Sequence, residues 1–405
     1  MALAFADRLA AAEAGTHALI DLDALAGNVQ AVRARLPEDV VLMGVVKANA
    51  YGHGLIPCAR ALLAAGARWL GVARIEEGLA LRGAGITAPV LVLGPPNYAL
   101  LQPALDADLA LAVGSAADVA AVARAAGEER GPARLHLKVD TGMRRFGVEV
   151  DQALELAQAI VADSRLELEG LFTHFATADE PDPGFLREQA RRFRQVRHLL
   201  ARHGIAPRVV HQANSAAALR GVVGDADLPG ERLVRAGIVL YGLPPSAAVP
   251  APPDARPALR LETRLARVFT VAAGEGISYG HTFVAGREIR CGLAPIGYGD
   301  GLFRLLSNCG WFVVRGMRCP IRGRVCMDQT VIEVSRVSGV EAGEPALVLG
   351  DGRSGEMTAV DIAELCGTIP YEVVTALAAR VPRIFLRGGQ PVAVSDLAGL
   401  VEERP

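Results

Sequence analysis

Between about residues 23 and 245, eight short β-rich runs alternate with Ala-, Leu- and Arg-rich helical segments, and this alternation constrains the fold more than any other feature of the chain. The runs are VVLMGVVK (40–47), WLGVA (69–73), PVLVLG (89–94), LALAV (109–113), ARLHLKVD (133–140), LELEGLFTHF (166–175), PRVVHQA (207–213) and RLVRAGIVLYGL (232–243). Strand followed by helix, repeated, is the signature of a parallel sheet. Eight repeats predict that the sheet closes into a (β/α)8 barrel of TIM type. The intervening segments, such as LIPCARALLAAGARW and DQALELAQAIVADS, space their apolar residues as outer barrel helices do. In such a barrel the chemistry sits at the C-terminal ends of the strands. Lys47, Lys138, His174, Asn214 and Ser215 fall near or just past those ends.

The pattern then changes. PPSAAVPAPPDARP (244–257) has no amphipathic period and reads as an extended linker. Beyond it, LETRLARVFTVAAG, REIRCGLAPIGYG, GWFVVRG, GRVCMDQTVIEVS and PALVLG are short alternating runs separated by Gly-containing turns, interrupted by one helical stretch, TAVDIAELCG (358–367). The expected organisation is a barrel over 1–246 and a mainly β domain over 247–405.

Composition narrows the function classes. With 42 basic and 44 acidic residues the net charge is −2, which offers no general attraction to nucleic acid or to an anionic membrane. The six cysteines form no CxxC pair and no Cys/His cluster, so no metal site is expected and the thiols read as reduced. Asp7, Arg8 and Glu13 interrupt the apolar start of the chain, and no later run reaches the ~18 apolar residues of a membrane span. A cytoplasmic enzyme acting on a small molecule is the expectation.

The segment VVKANAYGHG (45–54) places a lysine at the end of an apolar strand, before a tyrosine and a Gly-containing turn. A lone strand-end lysine usually just faces water. One that forms a Schiff base needs a partly desolvated pocket that lowers its pKa, and a barrel mouth provides one.

At this motif the sequence resembles the alanine racemases, and the resemblance continues in order through DTGMRRFG (140–147), THFATADE (173–180), ANSAA (213–217), VRAGIVLYGL (234–243), ISYGHTF (277–283), GRVCMDQ (323–329) and PYEV…RVPR (370–383). It implies pyridoxal 5'-phosphate as cofactor and racemization of L- and D-alanine, with D-alanine serving peptidoglycan or catabolism. Lys47 would be the cofactor lysine and one base, and Tyr279 the other. Racemization removes a proton from one face of a planar centre and returns one to the opposite face, so two groups must flank it. A tyrosine is a poor base unless nearby donors stabilise its phenolate. The resemblance assigns that task to His174, held in turn by Arg235, which would face the pyridine nitrogen. Tyr51, Ser215, the backbone of Gly237 and Ile238, and Tyr371 would hold the phosphate. Arg145 would meet the substrate carboxylate, with Met327 and Asp328 supplying backbone and local contacts from the second domain and Arg144 left on the surface, and Lys138 is a candidate for carbamylation. Because the family's tyrosine reaches the cofactor from a second subunit, a homodimer with shared active sites is implied.

Three other readings compete. A racemase of wider range would act on serine or basic amino acids. A pyridoxal-phosphate decarboxylase would lack ISYGHTF and CMDQ in this arrangement. A non-catalytic pyridoxal-phosphate carrier would end near residue 245.

Overall fold

The computed structural model describes residues 4–127 and 131–403. Eight parallel strands close a barrel: Val41–Val45, Trp69–Val72, Val90–Val92, Ala110–Val113, Ala133–Asp140, Leu166–Phe172, Val209–His211 and Glu231–Ala236. Each pairs with the next, and Glu231–Ala236 closes the circle on Val41–Val45, with Val234 opposite Leu42. Seven of the eight expected runs contain a barrel strand, and the eighth strand begins one residue before its run, at Glu231. Val41, Met43, Trp69, Leu91, Ala110, Val209 and Leu233 form an apolar cluster contributed by six of the strands, which fills the barrel interior as a packed layer.

Several strands stop earlier than the hydrophobic runs do. The last ends at Ala236, and Ile238–Tyr241 turns into a short 3-10 helix although IVLY is as apolar as the strand before it. Continuing hydrophobicity reflects burial here, since all four of these residues are inaccessible, and burial alone does not distinguish strand from helix.

The β-rich part holds an eight-stranded sheet whose order runs Met317–Pro320, Trp311–Val314, Pro345–Leu349, Leu259–Arg264, His17–Asp21, Arg383–Arg387, Gln390–Asp396 and Gly399–Glu402. His17–Asp21 thus sits in the middle of the second sheet although it precedes the barrel in the chain. It runs antiparallel to Leu259–Arg264 and parallel to Arg383–Arg387. Beside this sheet lie a three-stranded sheet and a small hairpin, Gly276–Ile277 with Phe283–Val284. The expected helix forms as Ala359–Cys366, and a second one, Pro370–Thr375, follows with its proline in the first turn, where a missing N–H costs nothing.

The second helix presses the two parts together. A Cβ on Gly52 would lie 2.1 Å from the Val374 carbonyl oxygen, and one on Gly54 would lie 2.5 Å from the Phe385 ring. Arg383 is buried at this seam and donates to the carbonyls of Gly52, Leu377, Ala378 and Val381. The loop after the first barrel strand is therefore clamped onto the β-rich domain.

Candidate active site

A cavity of about 380 Å³ opens at the C-terminal ends of the barrel strands. Its lining includes Lys47, Tyr51, Lys138, Arg145, His174, Ser215, Arg235, Gly237, Ile238 and Tyr371. Among the described residues that line it, four side chains are cationic and none is a carboxylate. Such a surface favours an occupant with more than one negative charge.

Lys47 stands two residues past the end of the first barrel strand, after Val46. The next four residues, Ala48, Asn49, Ala50 and Tyr51, have φ values of 53°, 54°, 55° and 52°, a full left-handed turn without a single glycine. Each such residue costs roughly 1–2 kcal/mol relative to a right-handed one, so the surroundings must impose the turn. Glu77 does much of this. Its carboxylate accepts from the backbone N–H of Ala48 at 2.6 Å, Ala73 at 2.8 Å and Arg74 at 3.1 Å. Asn49 Oδ1 accepts from Leu55 N–H at 2.8 Å. The turn brings Tyr51 back beneath Gly237 while Lys47 stays in the mouth. Neither the left-handed turn nor the role of Glu77 carries a local sequence signal, because the partners are some 30 residues apart.

Burial, followed by the nearby Arg145, lowers the Lys47 pKa, and the same two causes lower that of Lys138 to about 8. The Lys138 ammonium lies 4.7 Å from the centre of the Phe146 ring. Arg145 reaches the cavity, whereas its neighbour Arg144 pairs with Glu149 on the surface.

Arg235 is buried on the last strand. Its Nη1 donates to His211 Nδ1 at 2.8 Å, and its Nη2 donates to the Thr173 carbonyl at 2.8 Å, to His174 Nδ1 at 3.1 Å and to the Gln212 carbonyl at 3.2 Å. Burial lowers its pKa to about 9, which still leaves it charged at neutral pH. Among the described residues its Nε–H makes no hydrogen bond, and Arg235 lines the cavity. Burial and the surrounding cations push His174 well below the usual imidazole range, so the ring is neutral. An arginine can only donate, so the proton of His174 must sit on Nε2.

At the other end, Tyr51 and Tyr371 have ring centres 6.2 Å apart, and burial raises both phenols, which therefore stay protonated donors. Gly237 N–H lies 2.9 Å from Ser215 Oγ. A Cβ at Gly237 would fall 2.3 Å from the Tyr51 hydroxyl, so only glycine permits this approach.

Three expected site residues lie elsewhere. Tyr279, Met327 and Asp328 line a second, open groove of about 660 Å³ on the β-rich domain. Tyr279 sits on the turn of the small hairpin and is 73% exposed, while Met327 is 53% exposed. The turn is braced: Ser278 Oγ donates to the Arg324 carbonyl at 2.8 Å. Asp328 is held by Arg380, which also binds Asp300. The IGYGDG turn (296–301) supports this loop through Tyr298 N–H to Cys326 O at 3.0 Å and Gly299 N–H to Met327 O at 2.8 Å.

The described residues contain no His/Cys/Asp/Glu group able to hold a metal ion and no helix long and apolar enough to cross a membrane. The family model for the alanine racemase N-terminal domain matches residues 20–245, and that for the C-terminal domain matches residues 258–385. The alanine racemase of Thermobifida fusca is 43% identical over 373 residues, covering 91% of this chain and 97% of its own. That of Halothermothrix orenii is 42% identical, covering 91% and 96%. The crystal structure of alanine racemase from Bacillus anthracis with bound L-Ala-P superposes with a TM-score of 0.88 at 38% identity, covering 95% of this chain and 98% of that one. The enzyme from D-cycloserine-producing Streptomyces lavendulae gives 0.86 at 41% identity, covering 92% and 97%. With both domains matched in order and solved relatives superposing over nearly the whole chain, the protein belongs to the alanine racemase family of isomerases.

Proposed function

We propose that this chain interconverts L- and D-alanine with pyridoxal 5'-phosphate, using Lys47 and the Tyr279 of a second copy as opposed bases. The observation that carries this reading is the cavity itself: four cations, no carboxylate, a lysine with a lowered pKa at the mouth, and a glycine cradle under two protonated tyrosines. A phosphate fits the end formed by Tyr51, Ser215, Gly237, Ile238 and Tyr371, which offers hydroxyl and backbone donors. The free Nε of Arg235 fits a ring nitrogen that stays unprotonated, because a charged arginine does not readily yield its proton. When bound, pyridoxal phosphate supplies an aldehyde for amine capture and an electron-withdrawing ring that acidifies the amino-acid Cα–H.

The chain's own residues do the rest. Lys47, once neutral, would hold the aldehyde carbon of the cofactor through Nζ, and when the substrate amine takes its place on that carbon the freed Nζ could hold or deliver a proton on one face of Cα. Arg145 binds the substrate carboxylate, with Met327 and Asp328 of the second copy supplying backbone and local contacts. Tyr279 works on the opposite face, and the Nε2–H of His174 is the donor that stabilises its phenolate. Lys138, with a pKa near 8, keeps enough neutral amine to take up carbon dioxide, and the carbamate so formed would neutralise part of the cluster and orient Arg145. An exposed catalytic tyrosine and an open half-site on the same chain support a homodimer in which each copy completes the other.

The test is the visible spectrum of the purified protein together with the optical rotation of L-alanine. A visible cofactor band with rotation decaying to zero is expected. A band without decay for alanine, but with decay for serine or lysine, would replace alanine as the substrate.

A further inference from the structure

Behind Arg235 the barrel interior holds a second polar structure that the proposed reaction does not use. His211 accepts from Arg235 on Nδ1, and its Nε2 lies 2.8 Å from His136 Nδ1. His136 Nε2 lies 3.2 Å from Glu169 Oε2. The other Glu169 oxygen pairs with Arg208 and lies 3.7 Å from Arg134. His136, Glu169 and His211 are each at most 1% exposed.

The local backbone is shaped for this contact. In the pairing of Ala133–Asp140 with Leu166–Phe172, Leu135 faces Leu168 but His136 faces Gly170, so Glu169 is the extra residue of a bulge. A bulge re-aims the side chain it carries. A Cβ on Gly170 would lie 2.1 Å from His136 Nδ1, so glycine alone leaves room for the ring. Phe172 stacks on His211 at 4.5 Å with an interplanar angle of 11°, and the Trp69 ring meets His136 edge-on at 5.6 Å.

The protons along this chain have one consistent arrangement. Arg235 cannot accept, so His211 Nδ1 is bare and His211 carries its proton on Nε2. That proton can only point to a bare His136 Nδ1, so His136 carries its own on Nε2, facing an ionised Glu169 that can only accept. Burial keeps both rings neutral, as this arrangement requires. Both ends of the relay are closed, a donor-only arginine at the mouth and an acceptor-only carboxylate near the barrel floor.

We propose that Glu169 and His136 are positioning residues that lock His211 in its Nε2–H form and thereby hold Arg235 aimed at the cavity. Only the statement of what Arg235 meets there rests on the proposed cofactor; the tautomers do not.

The experiment is 15N solid-state NMR on histidine-labelled full-length protein, with and without pyridoxal phosphate. The pair is recognised by a cross-ring 15N–15N correlation that nitrogens 2.8 Å apart give. Both rings are expected as Nε2–H in either form of the protein. Glu169→Gln keeps the shape, but its amide can donate as well as accept, so a second population with Nδ1–H should appear. With it, kcat should fall about tenfold, the scale of one charge-assisted hydrogen bond, while KM for alanine stays within about twofold. Glu169→Asp, which keeps an acceptor-only group, should retain one tautomer and most of the rate. Either wild-type ring found as Nδ1–H or doubly protonated overturns the proposal. So does a Glu169→Gln protein with unchanged tautomers and unchanged kcat, which would leave Glu169 a packing role alone. Loss of racemization with the wild-type tautomers as expected would count against the cofactor reading and leave the relay standing.

Discussion

Lys47 and Tyr279 of one chain line two separate cavities, the first enclosed in the barrel mouth and the second open on the β-rich domain. If the two act together, they come from different copies. Lys47→Ala and Tyr279→Phe proteins should each be nearly inactive, yet co-expression should restore activity, because a mixed dimer has one site with both residues intact. Random pairing makes half the dimers mixed with one good site each, so recovery of about one quarter of wild-type activity is expected. Differently tagged copies that co-purify as a mixed dimer but stay inactive would refute the shared site.

Gly237 and Tyr51 occupy a space with no room for a methyl group. Gly237→Ala should push the Tyr51 hydroxyl away from the phosphate end and weaken retention of pyridoxal phosphate by about tenfold or more, equivalent to losing one hydrogen bond to a charged group. Fluorescence titration of the cofactor-free protein measures this. Unchanged affinity would remove these residues from the phosphate site.

Lys138 has its pKa lowered to about 8, so at pH 7 about one side chain in ten is neutral, against fewer than about one in a thousand at the ordinary value. Only the neutral amine reacts with carbon dioxide. Labelling with 13C-bicarbonate should therefore give a carbamate carbon signal that grows from pH 6.5 to 8.5 and is absent in Lys138→Met. The same shift has a stability consequence. A lysine whose folded pKa lies below its unfolded value destabilises the fold below about pH 8, and that penalty disappears as pH rises through about 10.5. In the carbonate-free protein, Lys138→Met should thus be more stable than wild type at pH 7 and lose that advantage at high pH. No carbamate signal and no pH-dependent difference would show that Lys138 is an ordinary charged lysine.

Ala48 is exposed, helical by propensity, and held at a φ of 53°. Replacing alanine by glycine in a right-handed helix destabilises by about 0.5–1 kcal/mol, but here Ala48→Gly should stabilise by about 1 kcal/mol because it relieves the left-handed backbone. Glu77→Ala should act in the opposite sense, costing about 2–4 kcal/mol through the backbone donors it strands. Urea denaturation distinguishes the two, and a destabilised Ala48→Gly protein would show that the turn is not strained.

The sequence by itself determined the barrel and the change to β-rich pattern after it, because eight strand-and-helix repeats can bury their apolar faces in few other ways. It also singled out the ten side chains and backbone positions that meet in the barrel mouth, since each lies near a strand's C-terminal end or in a motif that resembles the family's. Local pattern had no access to what depends on residues distant in the chain. The strand His17–Asp21 joins the second sheet because its partners, Leu259–Arg264 and Arg383–Arg387, are more than 200 residues away. The left-handed turn after Lys47 is held in part by Glu77, which is distant in the chain, and within ANAY only Asn49 is of a type that adopts positive φ readily. His136 and His211 read as unremarkable residues of buried strands. Only closure of the barrel puts their nitrogens 2.8 Å apart, and only the bulge at Glu169 turns a carboxylate toward them. Tertiary structure likewise placed Tyr279 on a braced and exposed turn, in a groove lined by residues of the β-rich domain and apart from the cavity that holds Lys47, because the turn packs against the distant segment 326–329.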